Sequence, residues 1–357
     1  MAHTKIAEQS QAYLDMKERT GLTIVYMPRE DGGAAVRAVA DNGKNDAAGT
    51  IVAEASFAHA RIDEAHILWM EATELLKARA KIGQSHEMIW SVAEKLFALF
   101  RGEKVSFEDD AVALKERKPS GDFAPNPGKQ IDIDVDGVVY ERLPVKTRVI
   151  TTKDTDILPI IEEYVKPYVK PGDVLYVSEK ALTITQGRVV DMSMVKPSML
   201  ARFLGGRVGN YYGTEQFRGF GHGTSIAMEA FISEAGYPRA IFAAAVSAVT
   251  RPFGIKGMFY RICGKRAKSV DCPMSFLILE YAHSVKLAPN DSNGSAKRIK
   301  KTLGCEAVIL DANYRGAFSL GKSSRAISEE FIGKLFRDNP LGQSDEMTPF
   351  CIVRKKQ

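Results

Sequence analysis

The stretch L287-APNDSNGSAKRIKKTLGCEAVILDANYR-G316 decides how this chain is read. Its run Ala307-Val308-Ile309-Leu310 is short, apolar and β-branched, the pattern of a strand buried on both faces. Asp311 follows at once, with Asn313 and Arg315 two and four residues on. A carboxylate at the carboxyl end of a buried strand stands where ligand crevices of α/β sheets open. A second carboxylate, Asp271, closes FYRICGKRAKSVD (259–271), which reads as another strand. Two aspartates at strand ends are a donor set for divalent ions that bridge phosphate oxygens.

Outward from that core, further strands are expected at Leu22–Met27, Val145–Ile150, Val174–Val177 and Phe350–Val353. Ile131–Tyr140 (IDIDVDGVVY) alternates with period two around Asp136-Gly137, a hairpin with a tight turn. Ile6–Thr20, Met88–Phe100 and Asp156–Lys166 read as helices, and Ile51–Ile82, free of Gly and Pro, as one long or broken helix. Ala240–Val249 is a buried strand or helix. Residues 115–130, rich in Pro and Gly, form the best boundary. The expected organisation is a helical N-terminal region over 1–114, a linker over 115–130 and an α+β domain over 131–357.

The 357 residues are 45% apolar and 26% charged, enough for a substantial core and about two domains. With 49 Lys and Arg against 44 Asp and Glu, the net charge of +5 suits an anionic ligand without marking a dedicated nucleic-acid binder. Cys263, Cys272, Cys305 and Cys351 form no metal or disulfide spacing, which fits a reducing compartment. Met1–Thr20 lacks a secretory apolar core and no stretch of 18 apolar residues occurs, so a cytoplasmic chain is expected.

Two motif matches carry less than they promise. G316-AFSLGK-S323 satisfies the phosphate-loop pattern, yet only 34 residues follow it, too few for the rest of such a fold. A basic loop touching a phosphate is the residual expectation. His59, Asp63 and His66 share a helix face at metal-compatible spacing, but a plain polar face is favoured. Gly205–Gly223 holds seven glycines before Thr224-Ser225, a candidate anion site in which Arg207, Arg218 and His222 add donors. An ordinary capped helix start fits equally well.

Five ordered pieces, spanning about 144–354, resemble the coenzyme F-420 gamma-glutamyl ligase family. KPGDVLYVSEKALTITQGR (170–188) is similar to "GDvlvvaqKivSkaeGR", and KPSMLARFLG (196–205) to a "PSexAxxlA" helix. GKRAKSVD (264–271) stands where the family has "NAGIDxSN". The opening stretch, 287–316, resembles "LLPxDPDxSAxxIrxxl…vaVIItDTnGRp", and LGQSDEMTPFCIVRK (341–355) resembles "GqadegiPvvvvRG". Ile184 and Gln186 depart from the second Lys and the Glu of "SkaeG".

The resemblance implies a mixed-sheet α+β fold of the gamma-glutamyl ligase type, usually dimeric, after a mainly helical N-terminal region. It implies a ligase that uses GTP with Mg or Mn to turn a carboxylate into an acyl phosphate, which an amino acid amine then attacks. Asp271 and Asp311 would be metal ligands. Thr183, Gly187, Asn313 and Gln343 would bind nucleotide, and Arg315 and Lys180 would be catalytic. Glu179 and His222 are candidate bases. The implied partners are a small acidic metabolite, an amino acid and a second copy of the chain, with no nucleic acid and no membrane. The alternative is a degenerate nucleotide- or metabolite-binding protein of the same fold.

Overall fold

A computed structural model describes residues 20–40, 49–81, 84–106, 117–205, 207, 223–272, 274, 281–313, 316–342 and 346–356. The expected helix over Ile6–Thr20 lies outside them except for its last residue. The chain is a mixed α+β protein in two compact units, each assembled from separated stretches. The first comprises 1–111, 190–233 and 270–285. The second comprises 112–189, 234–269 and 286–357.

In the first unit, β1 (Leu22–Pro28), β2 (Ala34–Ala40) and β3 (Thr50–Phe57) form an antiparallel sheet in that order. Helices α1 (Ile62–Lys81) and α2 (His86–Phe100) pack against it. Leu68, Leu75 and Leu76 of α1 and Ile89, Leu96 and Phe97 of α2 are buried at helical spacing. Ser85 caps α2 by accepting from the Met88 N–H. The expectation of one helix across Ile51–Ile82 is corrected here. Its first part is strand β3, where Ala53, Ala55 and Phe57 alternate inward and pair with β2. The N-terminal region is therefore α+β, not mainly helical. Helices α5 (Met199–Gly205) and α6 (Ser225–Ala235) belong largely to this unit. A two-stranded ribbon joins β7 (Val189–Asp191) to β8 (Ser284–Lys286).

The second unit is built on six strands: β4 (Asp132–Val135), β5 (Val138–Val145), β6 (Val174–Ser178), β9 (Glu306–Asn313), β10 (Gly316–Lys322) and β11 (Phe350–Lys355). Their spatial order is β10-β9-β6-β11-β5-β4. β6 and β9 run parallel and the other neighbours antiparallel. The hairpin turn has Asp136 at φ 55 and Gly137 at φ 80, as a tight primed turn demands. Helix α11 (Glu329–Leu335) covers one face, with Ile332, Leu335 and Phe336 against Ile133, Tyr176, Val308 and Val353. Helix α10 (Ser292–Leu303) packs on β9 and β10, and α3 (Leu158–Tyr164) on α10.

Several expectations change in this unit. The separate strand expected over Val145–Ile150 does not form; Val145 is the last residue of β5, and the facing chain has Pro349, which has no N–H for the ladder. The chain before Asp271 forms helices α8 (Met258–Cys263) and α9 (Lys265–Lys268), not a strand. Ala240–Val249 is helical, within α7 (Tyr237–Thr250), and is largely exposed. Residues 117–130, read as a linker, pack within the unit. Asn126 is buried and its Nδ2 donates to Pro340 O and Thr348 Oγ1, both at 2.7 Å.

Candidate active site

Parallel pairing builds the site. Ser178 at the end of β6 stands opposite Leu310 of β9, so Glu179, just past β6, is one register step on beside Asp311, which is still within β9. Such an edge is where parallel strands present ligands, because loops diverge there and leave a crevice. β11 enters beside it, with the Ser178 N–H donating to Pro349 O at 2.8 Å. β10 leaves antiparallel to β9, with Phe318 opposite Asp311.

Glu179 opens α4 (Glu179–Thr185) and is buried. Its Oε1 accepts from Lys286 Nζ, and the two side chains are 6% and 0% exposed. Two charges taken so far from water persist only because each neutralises the other. The pair locks α4 to the chain leaving β8. Lys180 follows on α4 and is half-buried.

The segment 287–290 is pinned from several sides. Thr183 Oγ1 donates to Leu287 O at 3.4 Å, and Arg188 Nε to Ala288 O at 2.6 Å. Arg266 Nη1 donates to Pro289 O at 2.6 Å. Gln186 clamps Asn290 twice, giving its Nε2 hydrogen to Asn290 O at 2.9 Å and accepting from Asn290 N at 2.7 Å. Glu234, almost buried, accepts from both Arg188 and Arg266. Asp291 then caps α10, accepting from Gly294 N at 3.0 Å. An amide suits position 186, since it both donates and accepts here and a carboxylate would only accept.

A further cation stands one ladder step from Asp311. Lys265 Nζ donates to Ser319 O at 3.0 Å and lies 3.0 Å from Glu329. Ser319 pairs with Leu310. Burial alone would raise the Glu329 carboxyl, but hydrogen bonds from Ser319 and Lys265 outweigh it and hold it at about 2.

The residues named from the sequence divide as follows. Lys180, Thr183, Gly187 and Asp311 belong to the second unit, with Asp311 half-buried on β9. Thr183 is fully buried, so its hydroxyl holds the 287–290 segment and offers no surface to a ligand. Gly187 ends α4 at φ 64, a position that favours glycine. Asn313 ends β9, paired with Gly316. Arg315, Gln343 and His222 lie outside the described residues, as does most of the glycine-rich stretch. Asp271 belongs to the first unit, so the metal pair drawn from the sequence comes from two units. Among the described residues no cluster of three or more His, Cys, Asp or Glu side chains stands in metal-binding geometry.

The phosphate-loop fold, disfavoured from the sequence, does not form, and the basic loop expected in its place is corrected. Gly316–Lys322 is strand β10, and Lys322 Nζ donates to Ile327 O at 2.6 Å. Gly321 is there for packing, since a Cβ would stand 2.3 Å from the Ser292 backbone. The polar-face reading of His59, Asp63 and His66 agrees with their contacts. Asp63 accepts from Ser225 N at 2.9 Å, His66 stacks on Tyr26 at 4.8 Å, and His59 Nδ1 lies 3.1 Å from Gly32 O. Burial lowers the His66 imidazole below its ordinary value.

Sequence reasoning missed Lys286, Lys265 and Glu329. Lys286 carried one signal, a lone cation in the apolar run Ser284–Leu287. No family model matches the chain, and none of the curated proteins matches it. No helix among the described residues is long and apolar enough to cross a membrane.

Proposed function

We propose that the chain is a nucleotide- and divalent-metal-dependent ligase joining an amino acid amine to a small carboxylic acid. The observation that carries this is the register of β6 with β9. Two pieces that resemble the gamma-glutamyl ligases separately in sequence, around Glu179 and Asp311, are brought together by neighbouring parallel strands, with Glu179 just past β6 and Asp311 one register step beyond Leu310 in β9. GTP with Mg or Mn is the co-substrate the resemblance favours, and a homodimer its expected assembly.

The chemistry asks little covalent help of the protein. A substrate carboxylate oxygen attacks the γ-phosphorus, nucleoside diphosphate leaves, and the amine nitrogen then attacks the acyl carbon with loss of phosphate and a proton. A bound divalent ion supplies charge neutralisation on the phosphates. Asp311 would hold it, Lys180 and Arg315 would offset the remaining phosphate charge, and Asn313 and Gln343 would orient the nucleotide. Lys265, tied to β10 and paired with Glu329, stands beside that edge. The Glu179–Lys286 pair keeps α4 and its Lys180 in place.

A second reading, binding without turnover, is favoured by Thr183 being fully buried. Thermal unfolding with GTP, GDP, ATP and ADP, each with and without Mg or Mn, tests both. A ligand at a hundred times its Kd stabilises by about 2.7 kcal/mol. A metal-dependent rise that Asp311→Asn removes supports the site. Nucleotide turnover on adding acids and amines then separates ligase from binder. No rise with any nucleotide would end the ligase reading and leave a binding protein for a metabolite.

A further inference from the structure

The chain from Gly236 to Ser269, in the second unit, holds seven Lys and Arg and no Asp or Glu. It opens with α7, a helix of mostly small and apolar residues of which only Ala240 and Ala243 are buried. On a 3.6-residue wheel, Pro238, Ile241, Phe242, Ala245, Ala248 and Val249 fall within an arc of about 120° opposite those two alanines. All six are exposed. Ile241 is 54%, Phe242 61% and Val249 67% accessible, and just past the helix Phe253 reaches 78% and Ile255 48%. Tyr237, at the start of the helix, adds a further exposed ring at 41%, and so many large apolar side chains left in water on one short segment point to an interaction surface.

Cations frame the patch. Arg239, Arg251, Lys256 and Arg261 are exposed and make no ion pair among the described residues. A second copy of the chain, meeting this face through a two-fold, would set these cations against one another. A nucleic acid would satisfy the cations and leave the aliphatic and phenyl groups in water. An anionic lipid surface satisfies both, since apolar side chains enter the acyl boundary while Lys and Arg meet the headgroups.

We propose that this face of the second unit, from Tyr237 to Arg261, docks on an anionic lipid surface. Phe242, Val249, Phe253 and Ile255 insert, and Arg239, Arg251, Lys256 and Arg261 contact the headgroups. This departs from the sequence expectation of no membrane partner, and it does not rest on the ligase reading.

Co-sedimentation of the full chain with vesicles tests it, using phosphatidylcholine alone or with about one third phosphatidylserine. The chain pellets with the anionic vesicles only, and pelleting falls as salt rises. The double variant Phe242→Ser/Phe253→Ser weakens vesicle binding at least about tenfold, from the lost burial of two phenyl groups. Arg251→Gln/Lys256→Gln weakens it by about fivefold per cation. Both variants keep the parent's thermal midpoint, because the side chains are exposed. Absence of pelleting with anionic vesicles overturns the proposal, as does equal pelleting of the phenylalanine variant. A parent that elutes as a dimer, with a monomeric phenylalanine variant, would assign the face to a second copy and overturn it too.

Discussion

Replacing Lys286 with methionine keeps most of the side-chain volume and removes the charge that accompanies Glu179 into the interior. Both side chains are at most 6% exposed, so water cannot take over from the lost ammonium. Breaking a buried pair by deleting one partner costs about 3–5 kcal/mol. For a unit of this size each kilocalorie lowers the midpoint by about 2–4 °C, so a fall on the order of 10 °C is expected. Urea unfolding of the parent, Lys286→Met, Glu179→Met and the double variant gives the coupling directly. The double variant recovers most of the loss, because an apolar pair of similar volume often serves as well as a buried ion pair. A loss below about 1 kcal/mol in Lys286→Met, the size of an exposed pair, would show that water reaches the carboxylate and would refute the account. A double variant as unstable as the sum of the singles would place the effect in packing instead of charge.

Three further outcomes follow from the geometry. Gly321→Ala forces its methyl group to within 2.3 Å of the Ser292 backbone, so α10 and β10 must separate, with a loss of about 1–3 kcal/mol in denaturant unfolding; a neutral result would remove the packing explanation of this glycine. Glu329 has a folded pKa of about 2, below its ordinary 4.5, so its stabilisation is complete above about 4.5 and fades as pH falls through about 2. Glu329→Gln should cost about 1 kcal/mol at pH 7, discounted because the side chain is 43% exposed, and a deficit that persists at pH 2 would contradict the cause assigned. Burial pushes the thiols of Cys263 and Cys305 up to about 11 and that of Cys351 to about 12, and also raises Cys272. Alkylation at pH 8 should therefore modify none of the four until the chain is unfolded, and fast labelling of the native protein would show that one of them is accessible.

Some of the site was legible before any coordinates. Ala307–Leu310 announces a buried strand by composition alone, and the carboxylate after it then has a defined place. Glu179 was visible only as a candidate base next to Lys180. Its engagement with Lys286, 107 residues on, is a contact that no local pattern encodes. Lys265 is hidden for a related reason: nothing local in GKRAKSVD marks its first lysine, which the fold brings to β10.

The sequence by itself determined the elements whose signals are local. The Asp136-Gly137 hairpin follows from two residues that tolerate positive φ between alternating strands. Helix α2 follows from its apolar spacing and its Ser85 cap, and strands β6, β9 and β11 from compact β-branched runs. Tertiary structure decided the rest. Ile51–Phe57 fits a helical pattern when read alone and becomes a strand because β2 offers a ladder. G316-AFSLGK-S323 matches a phosphate loop letter for letter and becomes a strand because β9 pairs with it and α10 presses on Gly321. The edge that unites Glu179 with Asp311 exists only once two strands, separated by more than a hundred residues, run parallel in register. Periodicity records which face of an element is apolar. Which other element covers that face is settled by pairing and burial across the whole chain.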